Sequence, residues 1–163
     1  MAIMKKNNYL SIEELSLEEL IKVLSEKATP SDLPFADDIV QQVPVYKGSK
    51  VLQLIESDDT GEQLKRLQSE WHWVWSSGPG ILVIKNAFDN LELLDSVTTS
   101  FKALIDEEKQ AGKGAGDHFA KPGANDRIWN ALEKLCLHSP ELFAKYYANP
   151  ILAKAAEAWL GPN

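Results

Sequence analysis

The sequence contains one cysteine, Cys136, and no run of about 18 apolar residues that would cross a bilayer. A single thiol cannot form an internal disulfide, which is typical of a protein from a reducing compartment. Lys5 and Lys6 near the N-terminus are followed by no apolar segment, so the pattern of a secretory signal is missing. These absences exclude a disulfide-stabilised secreted scaffold and a helical membrane protein, and they predict a cytoplasmic protein.

Positive charge is also scarce, because Arg66 and Arg127 are the only arginines and the net charge is −7 at pH 7. An acidic surface repels phosphate backbones, and the chain has no apolar run long enough to span a membrane. We therefore predict that neither a nucleic acid nor a membrane is a partner. The chain has 163 residues, which is enough for one domain with a buried core.

Apolar residues recur with a period near 3.6 over most of the chain, which predicts a helix-rich protein. Ser139-Pro140 and Asn149-Pro150 each place an N-cap residue before a proline at the first helical position, and Gly112 stands where a helix should end. The predicted helices cover about 12–27, in one or two pieces, then Asp58 or Asp59 to 76, and 90–111 after Asp89 as a cap. A further helix capped by Asn125 or Asp126 runs through Cys136, and two more begin at Pro140 and Pro150, the last ending at Gly161-Pro162.

Sheet signals are few. Ile81–Ile84 is a short apolar run between turn residues and predicts a buried strand, whereas Val43–Tyr46 contains Pro44 and predicts a short edge strand. The run 51–55 fits either a strand or the start of a helix. We therefore predict an N-terminal helix with an extended linker over 1–50, and a helix-rich α+β domain over 51–163 that offers few partners for its strand.

The segment 116–129 is the richest in side chains for ligand binding. Its glycines, proline, asparagine and aspartates predict a loop, and this loop also carries an imidazole, an ammonium, a guanidinium and an indole. That mixture suits a polar or anionic ligand. An alternative is structural: Arg127 pairs with Asp117 or Asp126, Asn125-Asp126 caps a helix, and Trp129 lies in the core.

The aromatic cluster at Trp71, Trp73 and Trp75 also has two interpretations. The rings can line a ligand groove, but core or interface packing explains such a cluster more often. If these rings and Tyr146-Tyr147 are exposed, they would serve as anchors in a non-catalytic helical module that binds a protein partner.

The segments 80–88 and 116–129, with the helix between them, resemble the N-terminal part of bacterial proteins of the phytanoyl-CoA dioxygenase family. The resemblance runs from about Gly80 to Asn163. It implies a non-haem oxygenase that uses Fe(II) and 2-oxoglutarate to hydroxylate a small-molecule substrate, built on a double-stranded β-helix, or jelly-roll. It also implies substrate-binding roles at the mouth of the site for five residues: His118, Lys121, Asn125, Arg127 and Trp129.

The iron of that family is held by a His-x-Asp motif and a distant histidine, a triad that leaves positions open for other ligands. This chain departs from the pattern, because His72, His118 and His138 are followed by Trp-Val, Phe-Ala and Ser-Pro. We therefore expect no catalytic or metal-binding residue here, and we interpret the chain as an inactive N-terminal fragment of such an oxygenase, or as a truncated relative, that lacks most of the sheet. Such a fragment should self-associate through its unpaired strand.

Overall fold

The structure is a computed structural model, and it describes residues 11–12, 15–112 and 126–162. Within these ranges the chain is an α+β protein dominated by helices, as the sequence predicts. The elements, in chain order, are α1 (Leu17–Ser25), β1 (Asp38–Val40), β2 (Val43–Lys47), α2 (Gly48–Ser57), α3 (Glu62–Ser76), β3 (Val83–Lys85), α4 (Leu91–Gln110), α5 (Ala131–His138), α6 (Pro140–Tyr147) and α7 (Pro150–Leu160).

The described strands form one sheet of order β1-β2-β3. β1 and β2 are antiparallel and are joined by Gln41 and Gln42, which both have positive φ, the backbone of a two-residue hairpin turn. β2 and β3 are parallel, with Val45 opposite Val83. The prediction that Val43–Tyr46 is an edge strand was therefore wrong. Pro44 is tolerated in this central strand because it lies outside the part of β2 that pairs with β3.

β3 pairs with β2 alone among the described strands, so one of its edges has no partner there. Val83 is 40% exposed and Ile81 is 55% exposed, whereas Leu82 and Ile84 pack against the core. The prediction of a fully buried strand was wrong, because a continuous apolar run does not reveal which face a sheet leaves open.

The core lies where β2, α2, α3 and α7 meet. Its fully buried side chains are Tyr46, Val51, Leu67, Trp71 and Ile151. α3 turns one apolar face into this core, since Leu67, Trp71 and Val74 are each at most 1% exposed. The core takes side chains from both sides of residue 50, since Tyr46 belongs to β2 and Val51 to α2.

Gly48 brings α2 close to the end of β3. A Cβ atom at this position would lie 2.3 Å from the carbonyl oxygen of Asn86. Only glycine allows such a close approach of two backbones. The result is that α2 starts directly at the end of β2 and lies beside the sheet.

Helix ends with a strong local signal were predicted well. Asn149 Oδ1 accepts hydrogen bonds from the amides of Ile151 and Leu152, and Pro140 stands at the start of α6. Gly112 has a φ of +67° just after the end of α4.

Three predicted helix starts were wrong. Asn90, not Asp89, caps α4, because Asn90 Oδ1 accepts from the amide of Leu93. α3 starts at Glu62 behind Gly61, although Asp58 still accepts a hydrogen bond from the Leu64 amide. α5 starts at Ala131 behind Asn130, whose left-handed backbone breaks the helix predicted from Asn125 or Asp126.

α4, α5 and α6 pack together beside the core. The Phe88 ring stacks on Tyr146 at 5.1 Å between centroids, and Asn149 Nδ2 donates to the carbonyl of Ala87 at 2.8 Å. Leu91 of α4 and Leu132 of α5 are 66% and 54% exposed, so both helices leave part of their apolar surface uncovered.

α1 is shorter than the predicted helix over 12–27, and none of its residues is buried. Ser16 caps it, since its Oγ accepts from the Glu19 amide. The exposed large apolar side chains of this segment are Ile12, Leu15, Leu17, Leu20, Ile21, Val23 and Leu24. No helix in the described part of the chain is both long and apolar enough to cross a membrane.

Candidate functional site

Two of the five predicted substrate-binding residues fall within the described ranges. Arg127 and Trp129 lie together just before α5, with the guanidinium carbon 5.3 Å from the centroid of the indole ring. His118, Lys121 and Asn125 lie outside the described residues. Trp129 is 64% exposed, so the alternative that placed this ring in the core was wrong. The guanidinium of Arg127 and the indole of Trp129 therefore form a cation–π pair. The guanidinium supplies the charge, and the ring supplies an exposed apolar surface.

Asp126, the residue before Arg127, forms an ion pair with a lysine of α4. Asp126 Oδ1 lies 2.6 Å from Lys109 Nζ, and this hydrogen bond is the main cause that raises the pKa of Lys109. The contact attaches the segment before α5 to the C-terminal part of α4. Asp126 therefore does not cap α5, which starts five residues later.

The side chains available for metal binding are poorly placed. Within residues 11–12, 15–112 and 126–162, no group of three or more histidine, cysteine and acidic side chains could hold a metal ion. His72 instead stacks on Trp159, at 5.6 Å between ring centroids. The described residues therefore do not fit an Fe(II) site of the kind that the family uses.

A second candidate site was not predicted. It is an open cavity of about 350 Å³ between the segment before β1, the C-terminal half of β2, α2 and α3. Its apolar lining comes from Phe35, Tyr46, Val51, Leu54 and Leu67. We call it the Phe35–Leu54 cavity.

The buried carboxylate of Glu70 connects the floor of the cavity to one of its walls. Glu70 is 7% exposed, and its Oε1 accepts a hydrogen bond from the hydroxyl of Tyr46 at 2.8 Å. Its Oε2 accepts from the backbone amide of Phe35 at 3.0 Å. Burial raises the pKa of Glu70, and the hydrogen bonds from Phe35 and Tyr46 oppose that shift. Burial, with the neighbouring carboxylate, also raises the pKa of Tyr46.

The rim of the cavity carries charge. Asp37 accepts a hydrogen bond from the Lys47 amide at 2.8 Å and forms an ion pair with the ammonium group of Lys50. The hydrogen bond from Lys50 is the largest cause that lowers the pKa of Asp37. The Lys47 ammonium is 4.0 Å from the same carboxylate.

The sequence held one signal for this site. Glu70 stands beside Trp71 on the apolar face of α3, three positions after Leu67, and a carboxylate on a buried face needs hydrogen-bond donors. The location of those donors was not predictable, because Phe35 and Tyr46 come from a region predicted to be a linker.

Comparison with known proteins identifies no relative: no family model, curated protein or solved structure matches the chain.

Proposed function

We propose that the chain is the helical N-terminal part of an Fe(II)- and 2-oxoglutarate-dependent dioxygenase that resembles the phytanoyl-CoA dioxygenase family. In this proposal the complete protein hydroxylates a small molecule, and its jelly-roll sheet and metal triad come from residues other than those described here. The chain itself supports the sheet and contributes side chains to the substrate mouth.

The free edge of β3 is the structural observation that supports the proposal. β3 is parallel to β2 and has a second edge with no partner among the described strands, while Ile81 and Val83 remain exposed beside it. β3 is short and ends in Lys85, as protected edges often do, but complete proteins usually also cover large apolar side chains beside such an edge, and here Ile81 and Val83 are uncovered. Strands of a larger sheet would pair with this edge and cover the two apolar side chains.

Arg127 and Trp129 are the described residues that we assign to the substrate mouth. The indole ring is exposed and offers an apolar surface, and the guanidinium stacked on it offers a planar, permanently charged donor. A substrate with an apolar body and a carboxylate or phosphate group matches both. His118, Lys121 and Asn125 remain assigned to the same mouth by resemblance alone.

The naturally expressed product tests this proposal. Its mass and its peptides past Asn163 should show a longer chain with a His-x-Asp motif and a later histidine, and the purified protein should release CO2 from 2-oxoglutarate when Fe(II) is added. In that enzyme, Arg127→Ala should reduce substrate-stimulated turnover about 10- to 100-fold, as expected when about 1.4–3 kcal/mol of charge-assisted binding is lost. Lys65→Ala is the matched surface control.

Two results would contradict the proposal at different levels. A natural chain without the motif would remove the oxygenase activity altogether. Unchanged substrate dependence in Arg127→Ala would remove only the assignment of the substrate mouth.

A second candidate function is a non-catalytic module that binds a protein partner, and α1 is the observation that favours it. A helix of nine residues with no buried side chain is marginal by itself in water. Its apolar residues recur at helical spacing, and Glu18 and Glu19 occupy its first turn. This is the pattern of an amphipathic helix that docks in an apolar groove, with basic residues of the partner near its start.

Self-association of the isolated chain separates the two functions. If the β3 edge normally pairs with further strands, the chain should self-associate, and Val83→Lys should restore a monomer because lysine on an edge strand opposes pairing. Leu20→Glu in α1, a matched change of an exposed apolar residue, should then have no effect. Light scattering over a range of concentrations measures both. A monomeric wild-type chain with one cooperative melt would favour the module.

A further inference from the structure

We propose that the Phe35–Leu54 cavity is a binding site for a small organic anion with an apolar body. This inference is independent of the proposed oxygenase function, because the cavity is built entirely from residues before α4 and includes neither Arg127 nor Trp129.

The size and lining of the cavity favour an organic ligand. A volume of about 350 Å³ lies within the range of about 300–1,000 Å³ that small-molecule pockets occupy. Tyr46 and Leu67 form a floor that is 1% exposed, and Phe35 and Leu54 are only partly buried. An apolar ligand body would remove the remaining surface of these two side chains from water.

The charge at the rim favours an anion. The rim contains two lysines, Lys47 and Lys50, and one aspartate, Asp37, so its formal charge is positive although the whole chain carries a net charge of −7. Asp37 already accepts from the Lys47 amide and from the Lys50 ammonium. The Lys47 ammonium is 4.0 Å from that carboxylate, which exceeds hydrogen-bond length, and its side chain is 62% exposed. Its donors are therefore available to a ligand.

The buried carboxylate shows that the cavity is organised before any ligand binds. Glu70 joins the floor to one wall, because it accepts from the Tyr46 hydroxyl and from the Phe35 amide at the same time. Burying a carboxylate is unfavourable by itself. Here the two hydrogen bonds that Glu70 accepts fix the position of the cavity wall that contains Phe35. Binding sites held by such supporting hydrogen bonds lose less conformational freedom when a ligand enters.

The number of cations limits the class of ligand. Lys47 and Lys50 together exceed Asp37 by one positive charge, and Lys50 is already paired with Asp37, which suits a single carboxylate or sulfonate group better than a polyphosphate. The cavity lies at the surface, so the charged group can reach Lys47 while the apolar body contacts Phe35 and Leu54. The ligand we expect is therefore an aromatic or branched monocarboxylate.

The experiment uses 1-naphthoate as the anionic probe and 1-naphthalenemethanol as its neutral counterpart, each titrated into the chain by calorimetry. Naphthoate should bind saturably at one site, and the alcohol about two- to fivefold more weakly, since an exposed ion pair contributes up to about 1 kcal/mol. Lys47→Gln should weaken naphthoate binding by the same factor and leave the binding of the alcohol unchanged. Leu54→Asp should abolish the binding of both.

Lys65→Gln is the matched control, because Lys65 is an exposed lysine of α3 that pairs with Glu62 and does not line the cavity. A thermal melt of each variant confirms that it is folded. The proposal is overturned if naphthoate shows no saturable binding, if the two probes bind equally, or if Lys65→Gln weakens binding as much as Lys47→Gln does. That last result would indicate a diffuse attraction in place of a site.

Discussion

Trp71→Ala should lower the free energy of unfolding by about 3–5 kcal/mol, the range for replacing a large aromatic residue in a core. Trp71 is 0% exposed and belongs to the buried cluster at the centre of the molecule. Its ring meets Tyr46 edge-to-face at 5.8 Å and lies 6.5 Å from the ring of Trp75. Removing it would leave a cavity among β2, α3 and α7 that these elements cannot close without moving.

Trp129→Ala is the matched control for that substitution. Trp129 is 64% exposed, so its loss should change stability by no more than about 0.5 kcal/mol. Urea unfolding followed by circular dichroism measures both variants without relying on tryptophan fluorescence. Two equal values would contradict the packing described here. If Trp71→Ala lowers the free energy of unfolding by less than about 1 kcal/mol, the interpretation that this ring lines a ligand groove would be favoured.

Trp71→Phe adds a finer test of the same position. The indole Nε1 of Trp71 is buried and has no hydrogen-bond partner among the residues that the structure describes. Phenylalanine removes that donor while it keeps most of the apolar contact, so it should cost much less than alanine. An unpaired buried donor is itself unfavourable by about 1–3 kcal/mol, which offsets part of the lost volume.

The part of the fold that local chemistry determines could be predicted from the sequence. Asn149-Pro150 and Gly112 mark helix ends through side-chain capping and positive φ, which depend on a few adjacent residues. Asn130 has positive φ too, but asparagine adopts that conformation only in some contexts, so the start of α5 was placed too early. The fully exposed stripe of α1 was also beyond prediction, because periodicity indicates an apolar face but not whether anything covers it.

The sheet and the cavity depend on contacts between distant parts of the chain, and they were missed for that reason. Val45 and Val83 are paired although 38 positions separate them, and no local sequence pattern in 29–50 indicates that pairing. The Phe35–Leu54 cavity likewise needs a turn, a strand and two helices to converge. Arg127 and Trp129 were selected from the side chains of the segment 116–129 and from the family resemblance, and their stacking depends on a backbone path that neither determines.

Tyr46→Phe should lower the free energy of unfolding by about 1.5–3 kcal/mol, the usual contribution of a hydrogen bond to a charged group. The variant keeps the ring and removes only the hydroxyl that donates to Glu70 at 2.8 Å. A buried carboxylate then loses one of its donors and recovers no water in exchange. Tyr147→Phe is the matched control, since Tyr147 is 39% exposed and should change stability little.

The pH dependence of the free energy of unfolding tests whether Glu70 is the carboxylate that the Tyr46 hydroxyl stabilises. Its pKa is raised in the folded protein, so the folded state binds this proton more tightly than the unfolded state does. The resulting contribution to stability is complete below the ordinary glutamate pKa of 4.5 and is lost as the pH rises through the raised value. Other carboxylates such as Asp37 and Asp58 have lowered pKa values and act in the opposite direction.

The stability difference between wild type and Glu70→Gln isolates this group from the others. We expect wild type to lose stability relative to Glu70→Gln as the pH rises from about 4.5 through the raised pKa of Glu70, because glutamine carries no titrating proton. In Tyr46→Phe the decline should extend to higher pH, since the lost hydrogen bond is one that lowers the pKa of Glu70. A difference that stays flat over this range would mean that Glu70 keeps an ordinary pKa. The network that joins Phe35 to Tyr46 would then be open to water, and the cavity wall that it holds would lose its rigid support.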